Sequence, residues 1–265
     1  MENRKVIYYQ DELNDEFSTA QITPRVIDET YQYEHGVIWN VCSYLMQNVF
    51  SMPIKVGYLK LKFKMKYIGK EKIKPYRKQG YFIYANHTQA FADTFIPSVG
   101  NYPKRNFLIV NPENVSIKFA KTLIEMLGAI PVPGNKTAMK HFLEQIEQRI
   151  KKNCSITIYP EAHIWPYYTK IRPFKEVSFK YPIELETPTF CMTNTYQAYG
   201  KKKDKIKMVT YIDGPFFAST TQTKKERQKE LRNQVYQCMV ERSKNSNIEW
   251  IVYRKVAKEN DTLAV

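Results

Sequence analysis

The residues with the clearest chemical potential lie in the segment Tyr81–Pro97, which reads YFIYANHTQAFADTFIP. A short apolar run there is followed at once by Asn86 and His87, and Asp93 comes six residues after the histidine. Scaffolds often present catalytic groups in loops of this kind. A carboxylate close to an imidazole holds the ring in one tautomer and stabilises its charged form. The segment therefore suggests an acid/base pair.

The spacing of the pair requires a loop. On a helix, residues six positions apart lie more than 90° from each other, so helical structure alone cannot join the two side chains. Taken singly, His87 could equally be a loop histidine bonded to the backbone, and Asp93 could be an ordinary helix cap. Later segments of the chain favour a shared site.

Two of these segments end in groups that could bind a ligand. Leu127–Lys136, LGAIPVPGNK, is a loop rich in glycine and proline, and its backbone N–H groups and Lys136 can meet a phosphate. Ser155–Trp165, SITIYPEAHIW, is a strand that runs into Pro160 and Glu161. Open α/β sheets place ligands at such carboxyl ends, although Glu161 could also be a structural hydrogen-bond acceptor.

Basic residues and a further strand follow. Lys170 precedes the sequence IRPFK, which contains Arg172 and Lys175, and these cations can bind an anionic ligand. The segment Glu186–Cys191, ETPTFC, places a proline-bearing turn before another apolar strand.

Composition limits the classes of function. The 265 residues carry 41 Lys and Arg against 26 Asp and Glu, a net charge of +15 that suits nucleic acid, anionic lipid or an anionic substrate. Apolar residues make up 43%, enough for a sizeable core and against disorder. Four widely spaced cysteines without a CxxC pair are typical of reduced core residues in a cytoplasmic protein. The N-terminus lacks the features of a secretory signal.

The stretch Gly36–Ile54 contains no charged side chain but is interrupted by polar residues, which predicts an interfacial amphipathic helix rather than a membrane span. Its apolar stripe could instead pack on the domain core. Next, Tyr58–Tyr67 alternates lysine with apolar residues, which predicts a strand with one lysine face. Residues 55–78 hold nine lysines and Arg77 against Glu71 alone. Each basic residue contributes about 1 kcal/mol near an anionic leaflet, although a solvated edge strand explains the lysines equally well.

The remaining chain alternates strand and helix patterns, which predicts an α/β fold: a mixed, largely parallel sheet flanked by helices, with an N-terminal amphipathic helical segment. We expect residues 1–57 to form the membrane-contacting segment and residues 58–265 the α/β domain. The predicted strands are Tyr81–Ala85, Asn106–Val110, Ser155–Tyr159, Thr189–Thr193, Lys207–Asp213 and Ile248–Tyr253. The predicted helices are Ser116–Leu127, Thr137–Lys151 and Thr220–Lys244.

The order of the four segments resembles the glycerolipid acyltransferase family, in its lysophosphatidic acid acyltransferase-like branch. Asn86, His87 and Asp93 correspond to the first family block, residues 128–136 to the second, 159–162 to the third and 187–190 to the fourth. Here five residues rather than four separate the histidine from the aspartate, so we expect a bulged loop that still joins them. In the third block, Ala162 and His163 stand where the family has glycine and threonine.

The resemblance implies transfer of a fatty acyl group from acyl-CoA, acyl carrier protein or an acyl phosphate to a hydroxyl of a lysophospholipid or related acceptor. His87 would be the general base and Asp93 its orienting carboxylate. The donor is a co-substrate, and neither a cofactor nor a metal is expected. The implied partners are an anionic membrane surface, a lipid acceptor and, as one donor, acyl carrier protein, with a peripheral location on the inner face of the membrane and a role in phospholipid biosynthesis. The expected substrate-binding residues are Asn86, Lys136, Pro160, Glu161, Lys170, Arg172 and Lys175.

Two alternatives stay open. The altered blocks are compatible with a lipid-binding pseudoenzyme that has lost its chemistry. The basic surface is compatible with a nucleic-acid-binding protein, although no RNA- or DNA-binding module accompanies it and we expect no nucleic-acid partner.

Overall fold

The computed structural model describes residues 4–17, 22–117, 119–200 and 204–256. Its strands are β1 (Val6–Tyr9), β2 (Lys66–Ile68), β3 (Tyr81–Ala85), β4 (Asn106–Val110), β5 (Ala129–Pro131), β6 (Ser155–Ile158), β7 (Thr189–Tyr199), β8 (Lys205–Phe216) and β9 (Val252–Lys255). Its α-helices are α1 (Val37–Leu45), α2 (Ser51–Phe63), α3 (Ile96–Asn101), α4 (Lys121–Met126), α5 (Lys136–Lys151), α6 (Lys180–Glu184) and α7 (Lys224–Ser243).

Seven of these strands form one sheet in the order β2-β8-β7-β3-β6-β4-β5. All neighbouring pairs are parallel except β7 with β8, which are antiparallel. The predicted mixed, largely parallel α/β fold is confirmed. Strand β3 lies between β6 and β7, so the loop that follows it emerges at the carboxyl edge with a parallel neighbour on each side. Strands β1 and β9 form a separate parallel pair.

Strand β3 is buried along its whole length because both faces of the sheet are covered. Phe82 and Tyr84 point into a core shared with α5 and α7. Tyr81, Ile83 and Ala85 point to the opposite side, into a smaller cluster with residues of β7 and β8. A continuous apolar run of this kind is typical of a central parallel strand.

The predicted N-terminal helix is present and longer than expected. Helix α1, a π-helical turn at Met46–Phe50, and α2 follow one another without a break. Within Tyr58–Tyr67, the prediction of a strand with a lysine face is wrong: residues to Phe63 belong to α2, and only Lys66–Ile68 enters the sheet. Leu59 and Phe63, four residues apart, pack together against the domain, and this helical contact outweighs the local alternation.

The helix buries its polar face and exposes its apolar face, the reverse of ordinary packing. Ser43 donates to Met126 O at 2.8 Å, and Gln47 donates to the backbone oxygens of Asn106 and Leu127. Arg105 in turn donates to both of these side chains. These bonds satisfy polar groups that would otherwise be costly to bury.

The outward face of the helical segment is apolar, with exposed side chains at Val37, Ile38, Val41, Tyr44, Leu45, Val49, Phe50, Ile54 and Leu61. The alternative in which this stripe packs on the domain core is therefore wrong, with Met52 as its buried exception. Cys42 is exposed as well, whereas the sequence suggested a core cysteine. Among the described residues, no helix combines the length and apolarity needed to cross a membrane.

Elsewhere the elements follow the sequence with local changes. Helix α4 covers only the second half of the predicted helix Ser116–Leu127, after a 3₁₀ turn at Pro112–Val115. Helix α7 begins at a capping box in which Thr223 and Glu226 bond reciprocally. The division into two domains at residue 57 stays a prediction, and α2 runs across that boundary.

Lys55 on α2 gives a prediction about stability. Its side chain is buried, and burial lowers the pKa of Lys55 to about 8, against about 10.4 for an unfolded lysine. Between these values the unfolded chain binds more protons, so the destabilising effect of the lysine is complete below pH 8 and fades towards pH 10. We expect Lys55→Met to raise Tm most at pH 7 and progressively less up to pH 10.

Thermal unfolding across this pH range checks the effect. Lys60→Met, at an exposed position of the same helix, is the matched control and should show no such pH dependence. A gain in Tm for Lys55→Met that is equal at pH 7 and pH 10 would contradict the assignment.

Candidate active site

The loop after β3 brings His87 and Asp93 together. His87 Nδ1 lies 2.8 Å from Asp93 Oδ2. The same oxygen accepts the backbone N–H groups of Thr88 at 2.8 Å and Gln89 at 2.9 Å. The carboxylate is buried, whereas 17% of the His87 side chain is exposed. The prediction that a bulged loop still brings imidazole and carboxylate within hydrogen-bond reach is confirmed.

The histidine ring rests on an aromatic side chain. Tyr159, immediately after β6, stacks on His87 with the ring centroids 4.4 Å apart, and its hydroxyl donates to the backbone oxygen of Asp93. Burial, and secondarily the Asp93 carboxylate, raise the pKa of Tyr159 well above its ordinary value. The hydroxyl is therefore a permanent donor. It fixes both the ring plane and the turn that carries the aspartate.

Glu161 supports the catalytic loop from the neighbouring strand. Its Oε2 accepts the backbone N–H of His87 at 2.9 Å, and its Oε1 accepts the backbone N–H of Arg172 at 2.8 Å. The Arg172 guanidinium lies 3.6 Å from the same carboxylate. Burial raises the pKa of Glu161, and Arg172 and the two N–H groups oppose that shift. Of the two roles suggested by sequence, the geometry favours support of the loop.

Arg172 and Asn86 are also held inside the protein. The Arg172 side chain is buried, donates to the backbone oxygens of His163 and Glu12, and lies over the ring of Trp165. The Asn86 side chain is buried and exchanges hydrogen bonds with the backbone of Asn194. In this structure both contact the protein around the site, and their expected contact with substrate stays a prediction.

The third block keeps its backbone shape despite its changed residues. Ala162 has a φ of 63°, in the left-handed region that favours glycine, and it stands where the family has glycine. Its N–H donates to Tyr159 O, so the turn is closed by a hydrogen bond. The alanine therefore adopts a conformation that glycine would adopt with less strain.

An open cavity of about 440 Å³ lies beside this turn. Pro160, Glu161 and Lys175 line it, together with Leu13, Asn14, Ile158, Tyr159, Ala162, His163, Pro173, Phe174, Val177, Ser178 and Tyr181. Lys175 is exposed at its wall. Within the described part of the chain, the cavity reaches Tyr159 but not the ring of His87.

The two other predicted cations lie outside this cavity. Lys170 is exposed in the segment between β6 and α6. Lys136 is exposed at the first residue of α5, after a turn in which Asn135 accepts the N–H of Ala138. Strand β5, which precedes that turn, lies three strand positions from β3, or about 14 Å at the usual spacing. Lys136 and His87 share the carboxyl edge of the sheet without being adjacent.

Comparison with known proteins agrees with this arrangement of blocks. The family model described as Acyltransferase matches residues 64–194, from the end of α2 to Asn194 in β7. Residues 64–194 belong to the acyltransferase family. The resemblance read from the four sequence blocks is thereby confirmed at the level of the family, and acyl transfer is its general chemistry.

The solved structures to which the chain is similar include the 1-acyl-sn-glycerophosphate (LPA) acyltransferase PlsC from Thermotoga maritima. The two share 18% sequence identity over 78% of this chain and 80% of that chain, with a TM-score of 0.47. Among curated protein sequences, no match was found.

The candidate site contains groups that sequence reasoning missed. Tyr159 was placed in the third block only by position, and its stacking on His87 depends on the turn that follows β6. Asn194 lies four residues beyond the fourth block and had no local signal. It donates from its main chain to Asn86 at 2.7 Å and from its side chain to Asp93 Oδ1 at 3.5 Å.

Cys191, Asp213 and Cys238 form a further group, spaced like metal ligands within the described residues. Arg242 already donates to both oxygens of Asp213, at 2.7 and 2.8 Å, and Lys72 contacts it at 2.5 Å. These cations neutralise the carboxylate, so the group is explained as an ion pair beside two thiols.

Glu161→Gln should unfold the acyltransferase domain at a lower temperature. The change removes the charge partner of buried Arg172 and one of the two oxygens that accept N–H groups, and breaking a buried pair costs about 3–5 kcal/mol. For a chain of this size we expect Tm to fall by about 10 °C. Thermal unfolding followed by circular dichroism checks the value.

Glu241→Gln is the control for that experiment, because it removes an exposed carboxylate paired with Lys244. Exposed pairs contribute about 0–1 kcal/mol, so its Tm should stay near that of the wild type. Equal effects of the two substitutions would show that Glu161 does not stabilise the loop.

Proposed function

We propose that the protein transfers a fatty acyl group from a thioester or acyl-phosphate donor to a hydroxyl of a lysophospholipid or a related acceptor. His87 is the general base and Asp93 orients it. The observation that carries the proposal is the 2.8 Å contact between His87 Nδ1 and an Asp93 oxygen that two backbone N–H groups also fix.

The hydrogen bonds define the tautomer of the neutral ring. An ionised carboxylate accepts but cannot donate, so the proton of the neutral imidazole lies on Nδ1. The lone pair is then on Nε2, where a general base needs it. When the ring takes up a second proton, the buried carboxylate stabilises the positive charge.

This arrangement supports a direct acyl transfer. Nε2 of His87 removes the proton of the acceptor hydroxyl as its oxygen attacks the carbonyl carbon of the donor. The new C–O bond forms and the C–S bond of a thioester, or the C–O bond of an acyl phosphate, breaks. His87 then returns the proton to the leaving group. The enzyme itself is not acylated in this scheme.

The surroundings of the cavity suggest how substrate is held. Its wall is largely apolar, with Lys175 as a cation, and it adjoins the turn whose Glu161 fixes His87. We propose that it takes part of the lipid substrate, with Pro160 and Lys175 in contact and with Lys136 and Lys170 attracting anionic groups along the same edge. Arg172 contributes to the site indirectly, because it pairs with Glu161, which accepts the backbone N–H of His87.

The exposed apolar face of α1 and α2 supports a membrane partner. Side chains as large as Phe50, Ile54 and Leu61 are exposed by 62%, 69% and 87%. Lysines at the end of α2 adjoin this face, and basic residues there are attracted to anionic lipid. We propose that the protein is cytoplasmic and peripheral, held by this face on the inner surface of the membrane.

The intact pair weighs against a lipid-binding pseudoenzyme. The imidazole and the carboxylate that the reaction needs remain bonded in the bulged loop, and 17% of the His87 side chain is exposed. Vesicle binding without turnover of any donor and acceptor pair would reverse this preference. The nucleic-acid alternative gains no structural support from the lysine stretch, because residues 58–63 are helical.

His87→Ala should abolish most acyl transfer, because general base catalysis contributes about 10²–10⁴-fold. The measurement is mass spectrometry of products from mixed lysolipids incubated with acyl-CoA, acyl carrier protein or acyl phosphate donors. His141→Ala, at an exposed position of α5, is the control and should keep wild-type turnover. Near wild-type activity of folded His87→Ala would refute the mechanism.

Membrane contact is tested separately with vesicles. The double substitution Ile38→Glu and Phe50→Glu places charges on the apolar face and should reduce co-sedimentation with anionic phosphatidylglycerol vesicles at least tenfold. The control, Val26→Glu and Phe217→Glu, alters apolar residues of similar exposure elsewhere. If both double substitutions reduced vesicle binding equally, or if neither reduced it, this face would be excluded as the membrane contact.

A further inference from the structure

The second oxygen of Asp93 has a different partner from the first. Oδ2 accepts from His87, Thr88 and Gln89, whereas Oδ1 faces the side-chain amide of Asn194 at 3.5 Å. Among the described residues no lysine or arginine forms an ion pair with Asp93. The buried carboxylate therefore depends on neutral donors, and Asn194 is the donor on the side away from the histidine.

The amide of Asn194 is itself oriented. Thr210 on β8 donates its hydroxyl to Asn194 Oδ1 at 2.6 Å. Both residues are buried, with exposed fractions of 0% and 1%. Because Oδ1 is taken as an acceptor by Thr210, the NH₂ group of the amide must point the other way, towards Asp93.

The main chain of Asn194 holds the start of the same loop. Its N–H donates to Asn86 Oδ1 at 2.7 Å, and its carbonyl accepts from Asn86 Nδ2 at 3.1 Å. These two bonds do not involve the Asn194 side chain. Substitution of that side chain consequently isolates its contact with Asp93 from the contact with Asn86.

We propose that Asn194 is a positioning residue, oriented by Thr210, that holds the Asp93 carboxylate in the rotation at which Oδ2 faces His87. This relay of hydrogen bonds runs from Thr210 on β8 through Asn194 on β7 to Asp93 in the loop after β3, and it touches no substrate. It rests on the proposed acyl-transfer function, in which the Asp93–His87 bond sets the tautomer of the base.

Four variants and a matched control test the relay. Asn194→Leu keeps the volume but removes the donor, and Thr210→Val removes the hydroxyl with little change of shape. We expect kcat to fall at least tenfold in Asn194→Leu and about fivefold in Thr210→Val, because losing one such hydrogen bond changes a rate by about these factors. KM should stay within twofold of the wild-type value in both variants. Thr210→Ser, which keeps the hydroxyl, should recover most of the loss.

The fourth variant combines Asn194→Leu with Thr210→Val. Because Thr210 acts only through Asn194, the double variant should be no slower than Asn194→Leu alone. The control is Thr195→Val, which removes a buried hydroxyl on β7 that is bonded to Val209 O at 2.9 Å and not to the loop. Losses that add in the double variant, or that Thr195→Val reproduces, would overturn the relay.

A second readout does not require activity. NMR of histidine-labelled protein detects the Nδ1 proton of His87, one of only four histidines, and His87→Ala assigns it. Exchange of this proton with solvent should be several-fold faster in Asn194→Leu and Thr210→Val than in the wild type and Thr195→Val. Unchanged exchange in the two variants refutes the positioning role even when no acyl transfer is found. Faster exchange in the two variants, together with a wild type that transfers no acyl group, would refute only the proposed reaction.

Discussion

One carboxylate oxygen organises the candidate site. Asp93 Oδ2 accepts the imidazole N–H of His87 and two consecutive backbone N–H groups, so it closes the loop on itself. The N–H of Asp93 completes the turn by donating to Gln89 O at 3.2 Å. Burying a carboxylate is costly unless such donors surround it. The same bonds that make burial tolerable therefore also aim the oxygen at the histidine.

The loop is fixed from both sides because β3 has a parallel neighbour on each side. From β6 come Tyr159, which stacks on the ring, and Glu161, which holds the His87 N–H. From β7 comes Asn194, which holds Asn86. Each contact originates just beyond or within a strand paired with β3. The register of the sheet thus determines the geometry of the pair, and a slip of one residue would face every strand side chain the other way.

Sequence reasoning found the elements whose signal is local. The apolar runs of β3 and β4 are bounded as expected, since a continuous buried strand needs no partner to be recognised. The His87–Asp93 pair was suggested by residue types, and the order of the later blocks was needed to favour it over ordinary structural roles. Arg172 shows the limit: a basic residue near a ligand site suggests a substrate contact, but its side chain is buried against Trp165 and Glu161. That outcome depends on segments distant in sequence.

The largest errors concern the segment before β3, where tertiary contacts overrode local patterns. The alternating lysines of residues 58–63 satisfy a strand pattern, yet Leu59 and Phe63 also satisfy a helical one, and the upstream helix extends through them. The direction in which α1 faces was undecidable from its stripe, because an amphipathic pattern says which residues share a face and not what covers it. The contacts of Ser43 and Gln47 with Arg105 and with the backbone at the end of α4 settle it.

Helix α2 also contacts the loop that carries His87 and Asp93. Phe91, inside the spacer between His87 and Asp93, is 59% exposed and packs edge-on against Tyr58 of α2 at 5.2 Å. Phe95 joins both rings. The spacer is therefore attached to the same helix whose other face is proposed to lie on lipid. The five-residue spacer therefore supplies an apolar contact with α2 as well as a longer loop.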